Sequence, residues 1–154
     1  MKRMNKLICK EDKIFLAGHK GMVGSAIEKI LLKNEYGKKD FGGSLLTRTR
    51  EELNLLDINS VEKFFLLNKP KIVIIAAAKV GGIQANNNYP FEFLSENIKI
   101  QQNLIETSFR HNVKRLLFLG SSCIYPKNSI QPIKEEYLLS NYLESTNSPY
   151  AIAK

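Results

Sequence analysis

The chain has no tryptophan, only two cysteines and two histidines, and no long hydrophobic run. Cys9 and Cys123 lie far apart in the sequence, so they indicate neither a metal-binding pair nor a redox pair, and a reducing cytoplasm suits them. His19 and His111 do not suggest a metal site either. The longest strongly apolar run, residues 72–78, is far too short to cross a membrane. These scarcities predict a cytoplasmic protein with no metal centre and no membrane partner.

Acidic residues are outnumbered, because 23 lysines and arginines face 15 aspartates and glutamates and give a formal net charge of +8. A basic balance of this kind is compatible with nucleic-acid binding. The basic residues are scattered singly or in pairs, however, and no basic stripe with interleaved aromatic residues occurs. A lysine-rich solvated surface explains the charge, and some of it can serve a phosphate-bearing ligand. We therefore expect no nucleic-acid partner.

Short apolar runs alternate with helical patterns along the chain. Strands are expected at residues 13–17, 45–47, 72–76 and 115–119. Helices are expected after the glycine loop of residues 18–24 up to Lys33, at residues 60–67 and 90–111, and from an N-cap at Ser148, with a further loop at residues 79–88. Apolar runs without alternation, such as residues 72–76 and 115–119, are typical of parallel strands covered on both faces. The order predicts a Rossmann-type doubly wound parallel sheet over residues 13–154, preceded by an N-terminal extension of residues 1–12.

Three glycines stand between the first strand and the first helix with the spacing Gly18-x-x-Gly21-x-x-Gly24. Glycine permits a tight turn, lets the backbone approach a pyrophosphate and allows close helix packing, while the helix N-terminus supplies partial positive charge. In this strand-to-helix context, dinucleotide binding is favoured over a plain turn. The candidate cofactor-binding residues of the loop are Gly18, His19, Lys20, Gly21, Met22, Val23 and Gly24.

The end of the second strand reads Thr-Arg-Thr-Arg over residues 47–50. An acidic residue at this place favours NAD, whereas a basic one accommodates the 2′-phosphate of NADP. Arg50, with Lys20 in the glycine loop, therefore predicts NADP(H), although Glu51 and Glu52 follow directly. The alternative is that both arginines of the segment are ordinary surface charges.

Ser121 and Cys123 follow the fourth strand, at the edge where open α/β sheets bind ligands. A serine hydroxyl there can hydrogen-bond a substrate carbonyl or alcohol, although turn formation and a small buried filler are the alternatives for the two residues. Tyr150 precedes Lys154 by four residues, so both share one helix face and the ammonium favours the phenolate. Tyr150 is thus a candidate general acid or base, unless the pair are merely neighbours on a solvated helix.

In this order, the motifs resemble those of the extended short-chain dehydrogenase/reductase family. The resemblance runs from about Lys13 to the last residue and is carried by residues 17–26, 53–57, 76–83, 120–126 and 149–154. It implies an NADP(H)-dependent oxidoreductase and isomerase of nucleotide-sugar metabolism, which epimerises carbons beside a ketone and then reduces the ketone. Lys20 replaces an arginine that is frequent in related sequences, and residues 36–44 look like an insertion.

The resemblance also implies roles for individual residues. Ser121 and Tyr150 would stabilise the enolate oxygen, Tyr150 would protonate the reduced ketone, and Lys154 would hold the nicotinamide ribose. Cys123 would be one acid/base group of the epimerisation, whose partner histidine matches neither His19 nor His111. Further cofactor contacts would come from Asp57, Ala77, Leu119, Gly120 and Lys154.

Members of the family are longer than this chain. We therefore expect an incomplete domain, cut after the fourth main strand and at the start of the Tyr-x-x-x-Lys helix, without a C-terminal substrate domain. Family members pair through helices, so the parent enzyme is expected to be a homodimer with a nucleotide-sugar substrate. The alternatives are another nucleotide-sugar epimerase/reductase of the family and a catalytically inactive cofactor-binding fragment.

Overall fold

The computed structural model describes residues 7–154. Four strands form one parallel sheet: β1 (Lys13–Ala17), β2 (Ser44–Leu46), β3 (Ile72–Ile75) and β4 (Arg115–Phe118). Their spatial order is β2-β1-β3-β4, so the strand order reverses between β1 and β3, and ligands of open α/β sheets bind at such a reversal. The predicted doubly wound parallel sheet is confirmed.

Five α-helices accompany the strands among the described residues. They are α1 (Met22–Lys33), α2 (Ile58–Asn68), α3 (Ile83–Asn88), α4 (Pro90–Arg110) and α5 (Ser148–Ile152), and short 3₁₀ helices lie at Lys39–Phe41, Ser122–Ile124 and Glu135–Tyr137. Except for α3 and for α1, which begins within the glycine loop and not after it, every strand and α-helix falls within two residues of its predicted bounds; the 3₁₀ helices were not predicted. None of the helices among residues 7–154 is long and apolar enough to span a membrane.

The described residues form two compact units. The first comprises residues 7–77 with Gln101–Phe118 and contains the whole sheet, α1, α2 and the last part of α4. The second comprises Ala78–Ile100 with Leu119–Lys154 and contains α3, the first part of α4 and α5. The predicted N-terminal extension lies partly outside the described residues, which begin at Leu7.

The core of the first unit is built on β1 and β3. The side chains of Ile14, Phe15 and Leu16 are at most 1% exposed, and all four residues of β3 are buried. Phe64 and Phe65 of α2 pack against Phe15, with ring centroids 4.6 and 6.0 Å away. Both faces of these strands are thus covered, as their unbroken apolar runs predict.

Helix α2 begins earlier than predicted because Asp57, and not a later residue, caps it. The Asp57 carboxylate accepts a hydrogen bond from the backbone N–H of Asn59 at 3.1 Å, and such a bond satisfies one of the free amides of a first helical turn. The helix ends at Asn68, because Lys69 adopts a left-handed conformation with φ of 50° and Pro70 follows.

The prediction of a loop at residues 79–88 is wrong for its second half, which forms α3. The run of asparagines after two glycines favours a loop by propensity. Asn86 is buried, however, and its Nδ2 donates to the carbonyl oxygens of Gly81 and Gly82 at 2.9 and 3.0 Å. This side chain ties the turn to the stretch before it, and the local contact overrides the propensity.

The prediction that the fourth strand is buried on both faces is also wrong. In β4, Leu116 is 38% exposed and Leu117 is 51% exposed. Within the described residues, β4 pairs with β3 alone and forms an edge of the sheet. Its apolar side chains are therefore partly exposed at this edge of the sheet.

Candidate functional site

The turn after β1 requires glycine at its first position. Gly18 has φ of +88°, and its carbonyl accepts a hydrogen bond from the N–H of Gly21 at 3.0 Å. A Cβ atom on Gly18 would lie 2.5 Å from the backbone nitrogen of Ala77. The turn is therefore pressed against the chain that leaves β3, at the reversal of strand order, and no side chain fits between them.

The third glycine allows α1 to pack directly on this turn. A Cβ atom on Gly24 would lie only 2.0 Å from the carbonyl oxygen of Gly18. Gly21 is the N-cap of α1 and provides no side-chain cap, and Met22 and Val23 in the first turn are exposed. No side chain therefore caps the first amides of α1, and a pyrophosphate-binding helix N-terminus needs its amides uncapped.

Two positive charges lie near the end of β2. Lys20 and Arg50 are exposed, and both act on the same carboxyl group, that of Glu51. The pKa of Glu51 is lowered chiefly by its own backbone N–H and the Thr49 hydroxyl, and further by the charges of Lys20 and Arg50. The glycine turn and the segment after β2 therefore share one electrostatic environment, in which Lys20 and Arg50 face an acidic neighbour.

The two arginines of this segment have different surroundings. The Arg48 guanidinium lies 5.4 Å from the ring centroid of Phe64 and donates to the carbonyl of Thr47 at 2.6 Å. Stacking of this kind fixes Arg48 on the surface of α2. The assignment of Arg50 to a 2′-phosphate stays a prediction from the sequence.

Asp57 and His19 differ in how their polar atoms are satisfied. Hydrogen bonds from the Ser60 hydroxyl and the Asn59 amide hold the pKa of Asp57 below its ordinary value, and the carboxylate caps α2. The structure therefore gives Asp57 a role in the fold, while its role in cofactor binding stays a prediction.

His19 has a buried Nδ1 atom without a hydrogen-bond partner among the described residues, so the glycine loop holds a polar group that a ligand could satisfy.

The second unit contains Ser121 and Cys123. The Ser121 side-chain oxygen accepts a hydrogen bond from the backbone N–H of Cys123 at 3.2 Å and caps the 3₁₀ helix Ser122–Ile124. Its hydroxyl proton is not used in that bond, so Ser121 can still donate to a substrate oxygen. Cys123 lines a cavity of about 270 Å³ together with Tyr125, Pro126, Lys127, Ser129, Gln131, Ile133, Glu144, Asn147 and Ser122.

Helix α5 holds Tyr150 and packs against the 3₁₀ helix Ser122–Ile124. Ala151 and Ala153 are buried, and their small side chains permit a close approach. The Tyr150 ring meets the Phe93 ring of α4 edge to face, with centroids 6.4 Å apart. The N-cap of α5 is Asn147 and not Ser148 as predicted.

Lys154 follows directly after the C-cap of α5. Its carbonyl oxygen lies 3.9 Å from where a Cβ atom of Gly120 would stand. Burial lowers the pKa of the Lys154 ammonium below its ordinary value, because the charged form loses solvation. The structure thus brings Gly120, Ser121, Cys123, Tyr150 and Lys154 into one unit, together with Leu119.

Sequence reasoning missed Asn97, a buried residue on α4. Its Oδ1 accepts from the Lys79 N–H at 2.8 Å, and its Nδ2 donates to the carbonyls of Lys79 and Phe93 at 3.0 and 2.7 Å. The Lys79 ammonium pairs with Glu96 at 2.6 Å. One amide side chain therefore fixes the peptide that follows the third strand. The signal was a polar residue on the apolar face of a long helix, four residues after Phe93.

The geometry defines a class of protein. A parallel α/β sheet with a side-chain-free turn at its strand reversal, and with an open helix N-terminus after that turn, is a dinucleotide-binding fold. The residues of the chain fit such a cofactor, because Gly18 and Gly24 leave no room for side chains and His19 holds an unsatisfied buried nitrogen.

The chain belongs to the NAD dependent epimerase/dehydratase family, whose profile matches residues 14–154. GDP-L-fucose synthase 1 of Arabidopsis thaliana is 52% identical over 145 residues, which cover 94% of this chain and 43% of the relative. GDP-L-fucose synthase of Escherichia coli K12 is 51% identical over 144 residues, covering 94% of this chain and 43% of that protein. The chain thus spans less than half the length of these curated relatives.

A solved structure has the same fold as this chain and a lower sequence identity than the two synthases. The NADP-bound GDP-mannoheptose C4 reductase MlghC of Campylobacter jejuni superimposes with a TM-score of 0.87 at 39% identity. The match covers 96% of this chain and 45% of the reductase. The predicted family resemblance is confirmed by these comparisons.

Proposed function

We propose that the protein to which these residues belong converts GDP-4-keto-6-deoxy-D-mannose into GDP-L-fucose. The reaction consists of epimerisation at C3 and C5 followed by reduction at C4 with NADPH. The observation that carries the proposal is the presence of Ser121, Cys123 and Tyr150 in one unit, with Cys123 lining a cavity, in a chain about half identical to two GDP-L-fucose synthases. The free state of both cysteines agrees with a cytoplasmic location.

The first unit would hold NADP(H). The amides at the start of α1 would bind the pyrophosphate, and the glycine turn would let the backbone approach it closely. Lys20 and Arg50 would bind the 2′-phosphate, with Arg50 providing the planar fork that lysine lacks. When bound, the cofactor would supply a hydride for the carbonyl carbon. The residues of the chain would orient the cofactor and supply the protons.

The second unit would manage the protons. Removal of a proton beside a ketone requires stabilisation of the enolate oxygen, and the hydroxyls of Ser121 and Tyr150 are the donors for it. Cys123 would give a proton to, or take one from, the substrate carbon. In the reduction, Tyr150 would protonate the oxygen at C4, with the Lys154 ammonium favouring the phenolate that results.

An exposed apolar stripe on α4 supports the predicted homodimer. Phe91, Ile98, Ile105 and Phe109 are 72%, 36%, 42% and 85% exposed. Their spacings of seven, seven and four residues place them on one side of the helix. Soluble proteins seldom leave such a stripe in water, and a second copy with the same stripe would cover it.

The test is consumption of NADPH by the complete polypeptide with GDP-4-keto-6-deoxy-D-mannose. Turnover with formation of GDP-L-fucose is expected. The second candidate is a reductase of another GDP-linked keto sugar, which the similarity to the GDP-mannoheptose C4 reductase favours. Turnover with a GDP-4-ketoheptose and none with the deoxymannose substrate would select that candidate and reject the first.

A function of another class would be cofactor binding without catalysis by the residues of this chain alone. The exposure of Leu116 and Leu117 on β4 favours self-association of such a chain, since an edge strand with apolar side chains pairs readily. We expect the purified 154-residue chain to bind NADPH and to lack reductase turnover. Appreciable turnover by a monomer of this chain would contradict that expectation.

A further inference from the structure

The side chain of Asn147 contacts the thiol of Cys123. Asn147 is the N-cap of α5, where an asparagine normally accepts a hydrogen bond from the helix backbone. No side-chain cap bond is made at this position. Its Nδ2 instead donates to the Cys123 sulfur at 3.4 Å. The residue thus gives up a helix cap and places a donor on a thiol.

The backbone of Asn147 is held by Glu144. One carboxylate oxygen of Glu144 accepts from the N–H and hydroxyl of Thr146 and from the N–H of Asn147 at 3.2 Å. These bonds, the Thr146 hydroxyl first, lower the pKa of Glu144 below its ordinary value. The Lys127 ammonium lies 3.9 Å from the same carboxylate. The carboxylate therefore fixes the segment that carries the Asn147 amide.

The thiol is held from its own side as well. The backbone N–H of Cys123 donates to the Ser121 side-chain oxygen at 3.2 Å, so the two partners of the amide–thiol contact are anchored independently. Both Cys123 and Asn147 line the cavity of about 270 Å³, whose charged residues are Lys127 and Glu144. A ligand in this cavity would meet the sulfur with its donor already in place.

We propose that Asn147 is a positioning residue that stabilises the anion of Cys123. The inference rests on the proposed function and concerns the step in which the thiol gives its proton to a substrate carbon. In that step the S–H bond breaks and a C–H bond forms, while the electron pair stays on sulfur. The negative charge of the enolate passes to the sulfur. The Nδ2–H group of Asn147 then donates a hydrogen bond to the thiolate that results. Hydrogen bonds to charged groups are the stronger ones.

The test measures alkylation of Cys123 by iodoacetamide and needs neither sugar nor cofactor. The alkylated fraction is measured by mass spectrometry on the peptide that contains Cys123, in the complete polypeptide, so that Cys9 and any other thiol do not contribute. Asn147→Asp replaces the donor by a carboxylate. Asn128→Asp is the matched control. It introduces the same change of charge at an exposed position, five residues after Cys123 in the sequence.

We expect Asn147→Asp to slow alkylation about tenfold near neutral pH, because the donor to the sulfur is lost and a negative charge takes its place. At high pH, where thiols ionise irrespective of neighbours, the rates should converge. Asn128→Asp should leave the profile unchanged. If Asn147→Asp does not fold, Glu144→Gln provides a second test, because it weakens the bonds that hold the backbone of Asn147. This variant should also slow alkylation, but by a smaller factor.

An unchanged dependence of the alkylation rate on pH in Asn147→Asp would overturn the proposal. A change of equal size at every pH would also overturn it, since that would report altered access of iodoacetamide to the thiol. Loss of NADPH-dependent turnover would not affect this outcome. The two proposals therefore fail in different experiments.

Discussion

The contact between Gly18 and the chain after β3 makes a quantitative prediction for Gly18→Ala. Positive φ costs a residue with a Cβ about 1–2 kcal/mol. The new atom would also lie 2.5 Å from the Ala77 nitrogen and 2.8 Å from the Ala76 carbonyl carbon, and such overpacking costs about 1–3 kcal/mol. The sum of roughly 2–5 kcal/mol is a large part of the usual free energy of unfolding, about 5–15 kcal/mol.

Gly42→Ala is the matched control. Gly42 has φ of +77°, close to the +88° of Gly18, but a Cβ atom there would have no neighbour within 4 Å. The backbone strain and the loss of unfolded-state freedom are therefore common to both variants. The difference between them isolates the contact with Ala77.

The assay is urea unfolding of the chain and both variants, followed by far-UV circular dichroism. With a slope of about 2 kcal/mol per M, the contact alone should place the midpoint of Gly18→Ala about 1 M below that of Gly42→Ala. Equal midpoints for the two variants would show that the turn is not pressed against Ala77, and the argument for the glycine would fail.

Arg50→Ala should weaken NADPH binding roughly tenfold and leave NADH binding unchanged, because one charged contact to the 2′-phosphate is lost; Arg48→Ala, measured in parallel by fluorescence titration, should spare both affinities. The Glu62 carboxylate contacts His111 at 2.8 Å, and His111 and Arg110 hold the pKa of Glu62 below its ordinary value. The contribution of Glu62 to the free energy of unfolding is therefore complete at a pH above the ordinary pKa of a glutamate. It is lost as the pH falls through the lowered pKa of the folded state. Glu62→Gln should flatten the acid side of the stability profile, and an unaltered acid limb in thermal melts would argue against the pair. Ile105→Glu should convert the complete polypeptide to monomers in sedimentation, and a dimer that persists would disprove the role of the α4 stripe.

The sheet and the glycine turn were predictable because their signals are local. Unbroken apolar runs locate β1 and β3, and glycines at fixed spacing locate the turn. In both cases the residue type alone limits what the backbone can do, so no distant contact had to be known. The end of α1 at Lys33 was predictable for the same reason, since the apolar period stops there.

The errors and omissions arise where a particular side-chain contact or a strand's position in the sheet decides, whether its partners are near or distant in the sequence. Helix α3 depends on Asn86 reaching back to Gly81 and Gly82, whereas asparagine by itself favours a loop. The contact of Asn147 with Cys123 joins residues 24 positions apart, and the sequence offers no signal for it beyond an asparagine before Ser-Pro. The exposure of β4 depends on the strand's place at the edge of the sheet, which its own residues do not encode.

The packing of α1 on the Gly18 carbonyl has a consequence for binding entropy. Because the turn is clamped between Ala77 and Gly24, its amides are oriented by the protein's own backbone before any ligand arrives. A flexible phosphate loop loses conformational freedom when it closes on its ligand, and that loss weakens affinity. Here the loss is incurred during folding, so substitutions that relax the clamp should weaken dinucleotide binding even where every contacting atom is retained.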